Sequence, residues 1–291
     1  MSAKPKLRQL IRSGTFIVAP GVYDMISARV ADRMGFDALY MTGYGVTASY
    51  LGLPDAGLAT YTDMLNRASA IAGGTDTPLI ADADTGYGGL LNVRHTVRGY
   101  EAAGVQAIQL EDQETPKKCG HTPGRRVVPM EDMVQKVKVA VDSRRSEDTL
   151  IIARTDARTG HGIDEAIRRA AAYVEAGADI AFVESPESVQ EIEKIGSAFK
   201  APKLANMVPG GRTPVVGADR LKEMGFQIAI YPGLGFSVAA EACRRAYTYL
   251  QHHGSTEGLD VPTWGGGTAQ TMHELMGFPE VWEFEKRWGL A

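Results

Sequence analysis

The chain has only two cysteines in 291 residues, Cys119 and Cys243. Two cannot build a disulfide framework, and they suit a reducing compartment. Cys or His pairs at the intervals of a soft-metal site are missing. So is any apolar run long enough to span a membrane. Neither charge sign dominates: the formal net charge is −4, with acids and bases interspersed. This argues against nucleic acid as a partner, which would favour a basic face. The segment from Ser2 to Arg12 is basic but lacks the apolar stretch of a signal peptide, so a cytoplasmic location is expected. No G-x-G-x-x-G follows the first apolar run, and no G-x-x-x-x-G-K-[ST] occurs anywhere, which disfavours an open nucleotide-binding sheet.

What is present is a repeated phrase: a short apolar run, a polar or glycine-rich turn, then an amphipathic stretch. Hydrophobic residues make up 44% of the chain, enough for a large core. Eight runs read as strands: Phe16–Ala19, Ala38–Thr42, Pro78–Ala83, Ala107–Glu111, Leu150–Thr155, Ile180–Glu184, Lys203–Met207 and Gln227–Tyr231. Several are continuous Val/Ile/Leu/Ala stretches, as parallel strands buried on both faces require. Helices are expected between them. In Met25–Met34, the residues Ile26, Val30 and Met34 recur at helical spacing; Ile163–Ala176 opens with Asp164; Thr213–Met224 ends at Gly225. Gly35, Gly104, Gly177 and Gly225 each precede a strand, the position of a helix C-cap. Eight such units predict a closed (β/α)₈ barrel of TIM type over residues 1–251. A tail, 252–291, carries Trp264-Gly265-Gly266-Gly267 and two helical patterns, Ala269–Met276 and Pro279–Trp288. Its Met272, Leu275, Met276, Trp282, Phe284 and Trp288 need cover, from the parent barrel or from a neighbouring subunit.

In such a barrel the site forms at the C-terminal ends of the strands. Read in order, those ends carry Thr42-Gly43-Tyr44-Gly45, Asp82-Ala83-Asp84, Glu111-Asp112, Arg154-Thr155-Asp156, Glu184-Ser185 and Asn206. Asp82 and Asp84, two apart on a strand end, would share a face, and Glu111 comes from the adjacent strand. Oxygen donors of this kind suit Mg²⁺, which takes one or two carboxylates and keeps water and substrate oxygens. Structural salt bridging of these acids is the alternative reading. Arg154 is a natural fork for a substrate carboxylate, or else a partner for a neighbouring acid. Gly43 and Gly45 let backbone N–H groups approach an anion closely.

After the fourth run comes Lys117-Lys118-Cys119-Gly120-His121. Cations beside a thiol favour thiolate, and Gly120 and Pro123 suggest a mobile loop. A cysteine there reads as an acid/base group brought over the site by closure, against the alternative of a surface thiol among solvated charges. His121 orients the loop or bears a proton, or is simply a surface histidine. Cys243, on an expected helix, reads as buried and inert.

These motifs together resemble the isocitrate lyase/phosphoenolpyruvate mutase superfamily, in its carbon–carbon lyase branch. The resemblance runs from Ala19-Pro20-Gly21 nearly to the C-terminus. It implies a (β/α)₈ barrel, Mg²⁺ with Mn²⁺ as the alternative, and homotetramers that exchange C-terminal helices. It implies that Asp82 and Asp84 hold the metal with Glu111 assisting, and that Thr42, Gly43, Tyr44, Asp55, Gly120, Arg154, Glu184 and Asn206 line the substrate pocket. Cys119 becomes the lyase cysteine on a gating loop, with Lys118 and His121 beside it, and Tyr44 a candidate at the substrate hydroxyl. Members acting on a tricarboxylate carry an arginine after the eighth strand where this chain has Ser237. An unpaired buried carboxylate is costly, so the implied substrate is a 2-alkylmalate such as 2,3-dimethylmalate, cleaved to pyruvate and propionate. Pro209 stands where relatives commonly have Glu, which reshapes the pocket rim. The alternatives are 2-methylisocitrate cleavage, oxaloacetate hydrolysis, a phosphonopyruvate-type reaction, and an idle barrel serving as a binding module.

Overall fold

A computed structural model describes residues 6–260 and 269–290. The chain divides into two compact units, Met1–Gly235 and Phe236–Ala291. In the first, eight parallel strands close into a barrel in sequence order. They are β1 Ile17–Val22, β2 Leu39–Met41, β3 Leu79–Asp82, β4 Ala107–Glu111, β5 Leu150–Thr155, β6 Ile180–Val183, β7 Lys203–Asn206 and β8 Ile228–Tyr231. β1 closes the ring against β8, with Ile17 opposite Ile228 and Pro20 opposite Tyr231. The expected strands are all present, and β4 and β5 match residue for residue. Gly35, Gly104, Gly177 and Gly225 all have positive φ, as C-caps entering a strand should.

Alternate residues point into the barrel, and the lower inward positions are apolar: Ile17 and Ala19, Ala38 and Tyr40, Ile80, Ala107, Leu150 and Ile152, Ile180 and Phe182, Leu204, Ile228 and Ile230. Leu7, fully buried in a short helix Leu7–Arg12, closes the bottom of this cluster. Its backbone N–H donates to Gln106 Oε1 at 2.8 Å. That helix was not anticipated from the basic N-terminal segment. A second cluster, including Ala166, Ala170, Ile192, Ile195, Leu221 and Ala229, fills the space between strands and outer helices.

Two helix expectations need correction. Met25–Arg33 is helical, but Ala28 and Ala31 are its buried residues, while Ile26 and Met34 are exposed. Small residues let the helix lie close to the sheet, which turns the larger side chains outward. The helix expected over Thr213–Met224 spans only Ala218–Glu223. Pro214 and Gly217 keep the preceding residues out of helical geometry.

Gly21, part of the Ala19-Pro20-Gly21 motif, is required by the β1–β8 seam. A Cβ there would lie 2.3 Å from the backbone oxygen of Pro232. Backbone cannot swing aside as a side chain can, so Gly21→Ala is expected to cost about 1–3 kcal/mol through overpacking. Urea unfolding checks this.

The helix Leu234–His253 begins two residues before the second unit, which also holds the helices Ala269–Met276 and Phe278–Arg287. Leu275 is buried, whereas Met276, Trp282, Phe284 and Trp288 are exposed on the chain. Trp264 to Gly267 lie outside the described residues.

Candidate active site

The inward alternation that builds the core also builds the site. Continuing each inward series to the C-terminal end of its strand gives Thr42, Asp82, Glu111, Arg154, Glu184 and Asn206. Each of these side chains is buried. The same count turns Asp112 outward. Its carboxylate accepts from Thr155 Oγ1 and Tyr173 OH, each at 2.7 Å, and from the Asp156 backbone N–H at 2.9 Å. Asp112 therefore anchors the end of β5 to the helix Ile163–Glu175 and does not join the converging acids.

Asp82 is held on both oxygens. Oδ1 accepts from Asp84 N at 3.0 Å and Gln109 Nε2 at 3.3 Å; Oδ2 accepts from Gly43 N at 3.3 Å. Gln109 is itself fixed by Tyr40, whose OH donates to Oε1 at 3.0 Å. A Cβ on Gly43 would come 2.6 Å from Asp82 Oδ2 and 3.4 Å from Asp84 Oδ1, so both acids crowd this glycine. Asp84 lies beyond the strand with φ 46°, a left-handed turn that Asp tolerates better than most residues. Strand alternation alone therefore does not bring the two acids together; a turn does.

Lys117 reaches into this cluster. Its Nζ, almost wholly buried, lies 2.5 Å from Asp55 Oδ1 and 2.7 Å from Asp84 Oδ1. Burial pushes the Asp84 carboxyl up to about 6, opposed by the Lys117 charge. Burial also raises Glu111 well above the usual carboxylate range, although Arg154 opposes it. Both Glu111 oxygens are buried and accept no hydrogen bond among the described residues. A buried carboxylate so placed calls for a proton or a cation. Among the described residues no three acidic, His or Cys side chains already form a metal cage. Asp82, Asp84 and Glu111 offer oxygen donors, the kind a hard ion takes together with water and ligand oxygens.

Arg154 meets three carboxylates. Its Nε and Nη2 donate to Asp156 at 2.8 and 3.0 Å, while Glu111 and Glu184 lie 3.4 and 3.5 Å away. Its guanidinium carbon sits 5.3 Å from the centre of the Phe182 ring. Glu184 Oε2 accepts from Asn206 Nδ2 at 3.0 Å, and Oε1 accepts from the Ser185 backbone N–H at 2.7 Å. His121 lies above them. Its Nδ1 accepts from Arg212 N at 3.3 Å, and its Nε2 lies 3.4 Å from Asn206 Nδ2 and 3.9 Å from Glu184 Oε1. Burial lowers the His121 pKa against the pull of Glu184.

The lysine–cysteine loop is seated on this floor. Gly120 is so close that a Cβ would be 2.6 Å from Arg154 Nη2 and 2.9 Å from the Glu184 carboxyl. Ser185 Oγ donates to Gly120 O at 2.7 Å, and Cys119 N donates to Asp55 O at 3.0 Å. The expectation that the lysines favour thiolate is overturned. Lys117 is spent on Asp55 and Asp84, and the exposed Lys118 donates its Nζ to Gly124 O at 3.3 Å. Burial instead pushes the Cys119 thiol up. Burial thus favours the neutral thiol over the thiolate at Cys119.

With this geometry in place, comparison with known proteins decides the family: the phosphoenolpyruvate phosphomutase model matches residues 7–250. The chain belongs to the phosphoenolpyruvate phosphomutase family. Among family relatives, 2,3-dimethylmalate lyase of Eubacterium barkeri is 49% identical over 98% of both chains. A 2-methylisocitrate lyase of Aeropyrum pernix is 42% identical, covering 97% of this chain and 88% of its own. The solved structure of an oxaloacetate acetylhydrolase superposes with a TM-score of 0.92 at 38% identity, over 99% of this chain and 97% of that one. No helix among the described residues is long and apolar enough to cross a membrane.

Thr42 caps the short helix Gly43–Val46, accepting from Gly45 N at 3.3 Å, and Tyr44 on that helix is 40% exposed. Ser237 is in the first turn of the helix Leu234–His253 and is exposed on the chain. Cys243, expected to be buried, is exposed. It lies one turn from Tyr247, also exposed, so the two share an outward stripe. Sequence reasoning missed Gln109, Ser185 and Arg125. Gln109 was recoverable, being a polar residue at an inward position of an apolar strand. Ser185, with φ 58°, and Arg125 act through tertiary contacts that no local pattern announces.

Proposed function

We propose that this chain is a Mg²⁺-dependent carbon–carbon lyase cleaving a 2-alkylmalate, such as 2,3-dimethylmalate, to pyruvate and propionate. The observation that carries the proposal is the seating of the Cys119 loop, whose Gly120 packs against Arg154 and Glu184. Its support from kinship is the 49% identity to a 2,3-dimethylmalate lyase. Asp82 and Asp84 would hold the metal, with Glu111, which has no hydrogen-bond donor among the described residues, assisting. Mg²⁺ when bound supplies the charge that lowers the pKa of the substrate hydroxyl.

The chain's own residues do the rest. Thr42, Gly43 and Tyr44 line one side of the pocket, and Tyr44 is the candidate partner of the hydroxyl. Arg154 and Asn206 bind and orient the carboxylate of the fragment that leaves, with Glu184 holding the Asn206 amide in place. As a base takes the hydroxyl proton, C2–C3 breaks, its electron pair passes to C3, and the 2-oxo acid forms. The fragment carries negative charge delocalised onto its carboxylate, which the Arg154 guanidinium balances. Cys119 then gives its proton to C3, completing propionate. His121 and Lys118 hold the loop, and Asp55 keeps Lys117 in place. Ser237, where the family resemblance implies an arginine in tricarboxylate-cleaving members, would favour a dicarboxylate. The exposed Trp282, Phe284 and Trp288 call for cover, which a homotetramer would supply; the same proposal places the enzyme in the cytoplasm.

A substrate panel tests this reading: 2,3-dimethylmalate, 2-methylisocitrate, oxaloacetate and phosphonopyruvate, each with Mg²⁺. Dimethylmalate is expected to exceed the others in kcat/KM by about tenfold or more, because a lost or surplus carboxylate is worth at least that. Chelation of divalent ions should abolish turnover and added Mg²⁺ restore it. Phosphate release from phosphonopyruvate, with no pyruvate from any malate, would sink the proposal.

A further inference from the structure

Two adjacent arginines in the cysteine loop have opposite fates. Arg126 is exposed and meets Glu114 at the surface, 2.7 Å away. Arg125 is buried, its side chain only 1% exposed. Its Nη1 donates to Asp156 Oδ1 at 2.6 Å, its Nη2 donates to Thr159 Oγ1, and its Nε returns to Thr122 O at 3.2 Å. Asp156 is the carboxylate that also receives both arms of Arg154. One buried acid thus carries two guanidiniums, one from the barrel floor and one from the loop bearing Cys119.

The two ends of this bridge differ in anchorage. Asp156 is fixed by its backbone N–H, which donates to Asp112 Oδ1 at 2.9 Å, and Asp112 is tied to Arg169 and Tyr173 on the outer helix. Arg125 stands on a loop between β4 and the next helix. Thr159 extends the bridge, since its hydroxyl also accepts from Arg212 Nη1 at 3.3 Å. Arg212 donates its backbone N–H to His121, so the rim segment after β7 is joined to the same assembly. Burying an arginine away from its acid is strongly unfavourable. A loop that closes without forming the Arg125–Asp156 pair would bear that cost in full.

We propose that Arg125 is a positioning residue that latches the cysteine loop. By occupying one oxygen of Asp156 when the loop is closed, it holds Cys119 over the site and sets the orientation of the Arg154 fork. Loop closure and carboxylate recognition thereby become one event. The effect on turnover rests on the lyase reading; the latch itself does not.

The test is site-resolved alkylation of Cys119 by iodoacetamide in the full chain, followed by peptide mass spectrometry. Alkylation needs both access and thiolate, and opening supplies both. Arg125→Gln is expected to accelerate modification of Cys119 by about tenfold, the worth of a charge-assisted hydrogen bond. Arg126→Gln, the surface control, should stay within about twofold of wild type. Arg125→Lys, which keeps the charge without the fork, should fall between. Thr159→Val, a milder lesion, should accelerate modification as well and covers the case in which Arg125→Gln does not fold. A wild-type alkylation rate in Arg125→Gln, or in both Arg125→Lys and Thr159→Val, overturns the latch, as does equal acceleration by Arg126→Gln. Wild-type protein that turns over no malate while Arg125→Gln still accelerates alkylation leaves the latch standing and removes the lyase reading.

Discussion

Replacing Cys119 with alanine is expected to lower kcat for 2,3-dimethylmalate cleavage by about 10²–10⁴-fold, the range of a lost general acid. The fold should be untouched, because the side chain is half-buried and supports no core cluster. Coupled detection of pyruvate reads the rate, and circular dichroism checks the fold. The same assignment fixes a pH dependence. Cleavage needs Cys119 protonated, and burial pushes its pKa above that of an ordinary thiol. Activity limited by this group should therefore persist as pH rises through the usual thiol range and decline only above it. An alkaline limb at or below the ordinary thiol pKa would mean that the lysines, not burial, control the thiol.

The second large effect concerns Arg154. Arg154→Met removes a cation that lies within 3.5 Å of both Glu111 and Glu184 and takes the fork away from Asp156. Asp156 keeps Arg125, but Glu111 accepts no hydrogen bond in compensation. Leaving buried carboxylates unpaired costs about 3–5 kcal/mol, so urea unfolding should show a loss of that order together with loss of turnover. Arg154→Lys should recover much of the stability, since it restores a charge, but little of kcat/KM, since a point charge lacks the planar fork. Full activity in the lysine variant would show that Arg154 is a structural partner and not a binding group.

Much of the architecture was legible in the sequence because parallel strands buried on both faces leave near-continuous apolar runs. β4 and β5 could be bounded to the residue, and four glycines marked the helix ends. The site was legible for a related reason: a (β/α)₈ barrel presents its strand ends on one face, so Asp82, Glu111, Arg154, Glu184 and Asn206 could be gathered without coordinates. What failed depended on burial and on contacts between distant segments. The charge state of Cys119 could not be read from its neighbours, because Lys117 turns away to Asp55 and Asp84. Asp112 looked like a site acid, yet alternation from Glu111 already turned it outward. Asp84 joins Asp82 through a left-handed turn that strand periodicity does not contain. Cys243 was misplaced because a helix between apolar neighbours reads as packed until its outward stripe is known.

The central claim is that Cys119 delivers a proton to carbon after a C–C bond breaks. Turnover of 2,3-dimethylmalate with Mg²⁺ in D₂O, followed by proton NMR, addresses it directly. The account predicts pyruvate and propionate in equal amounts, with a single deuterium at C2 of propionate, and the loss of both products in Cys119→Ala. Propionate formed without pyruvate, propionate lacking deuterium in the wild type, or undiminished labelled propionate from Cys119→Ala would contradict it.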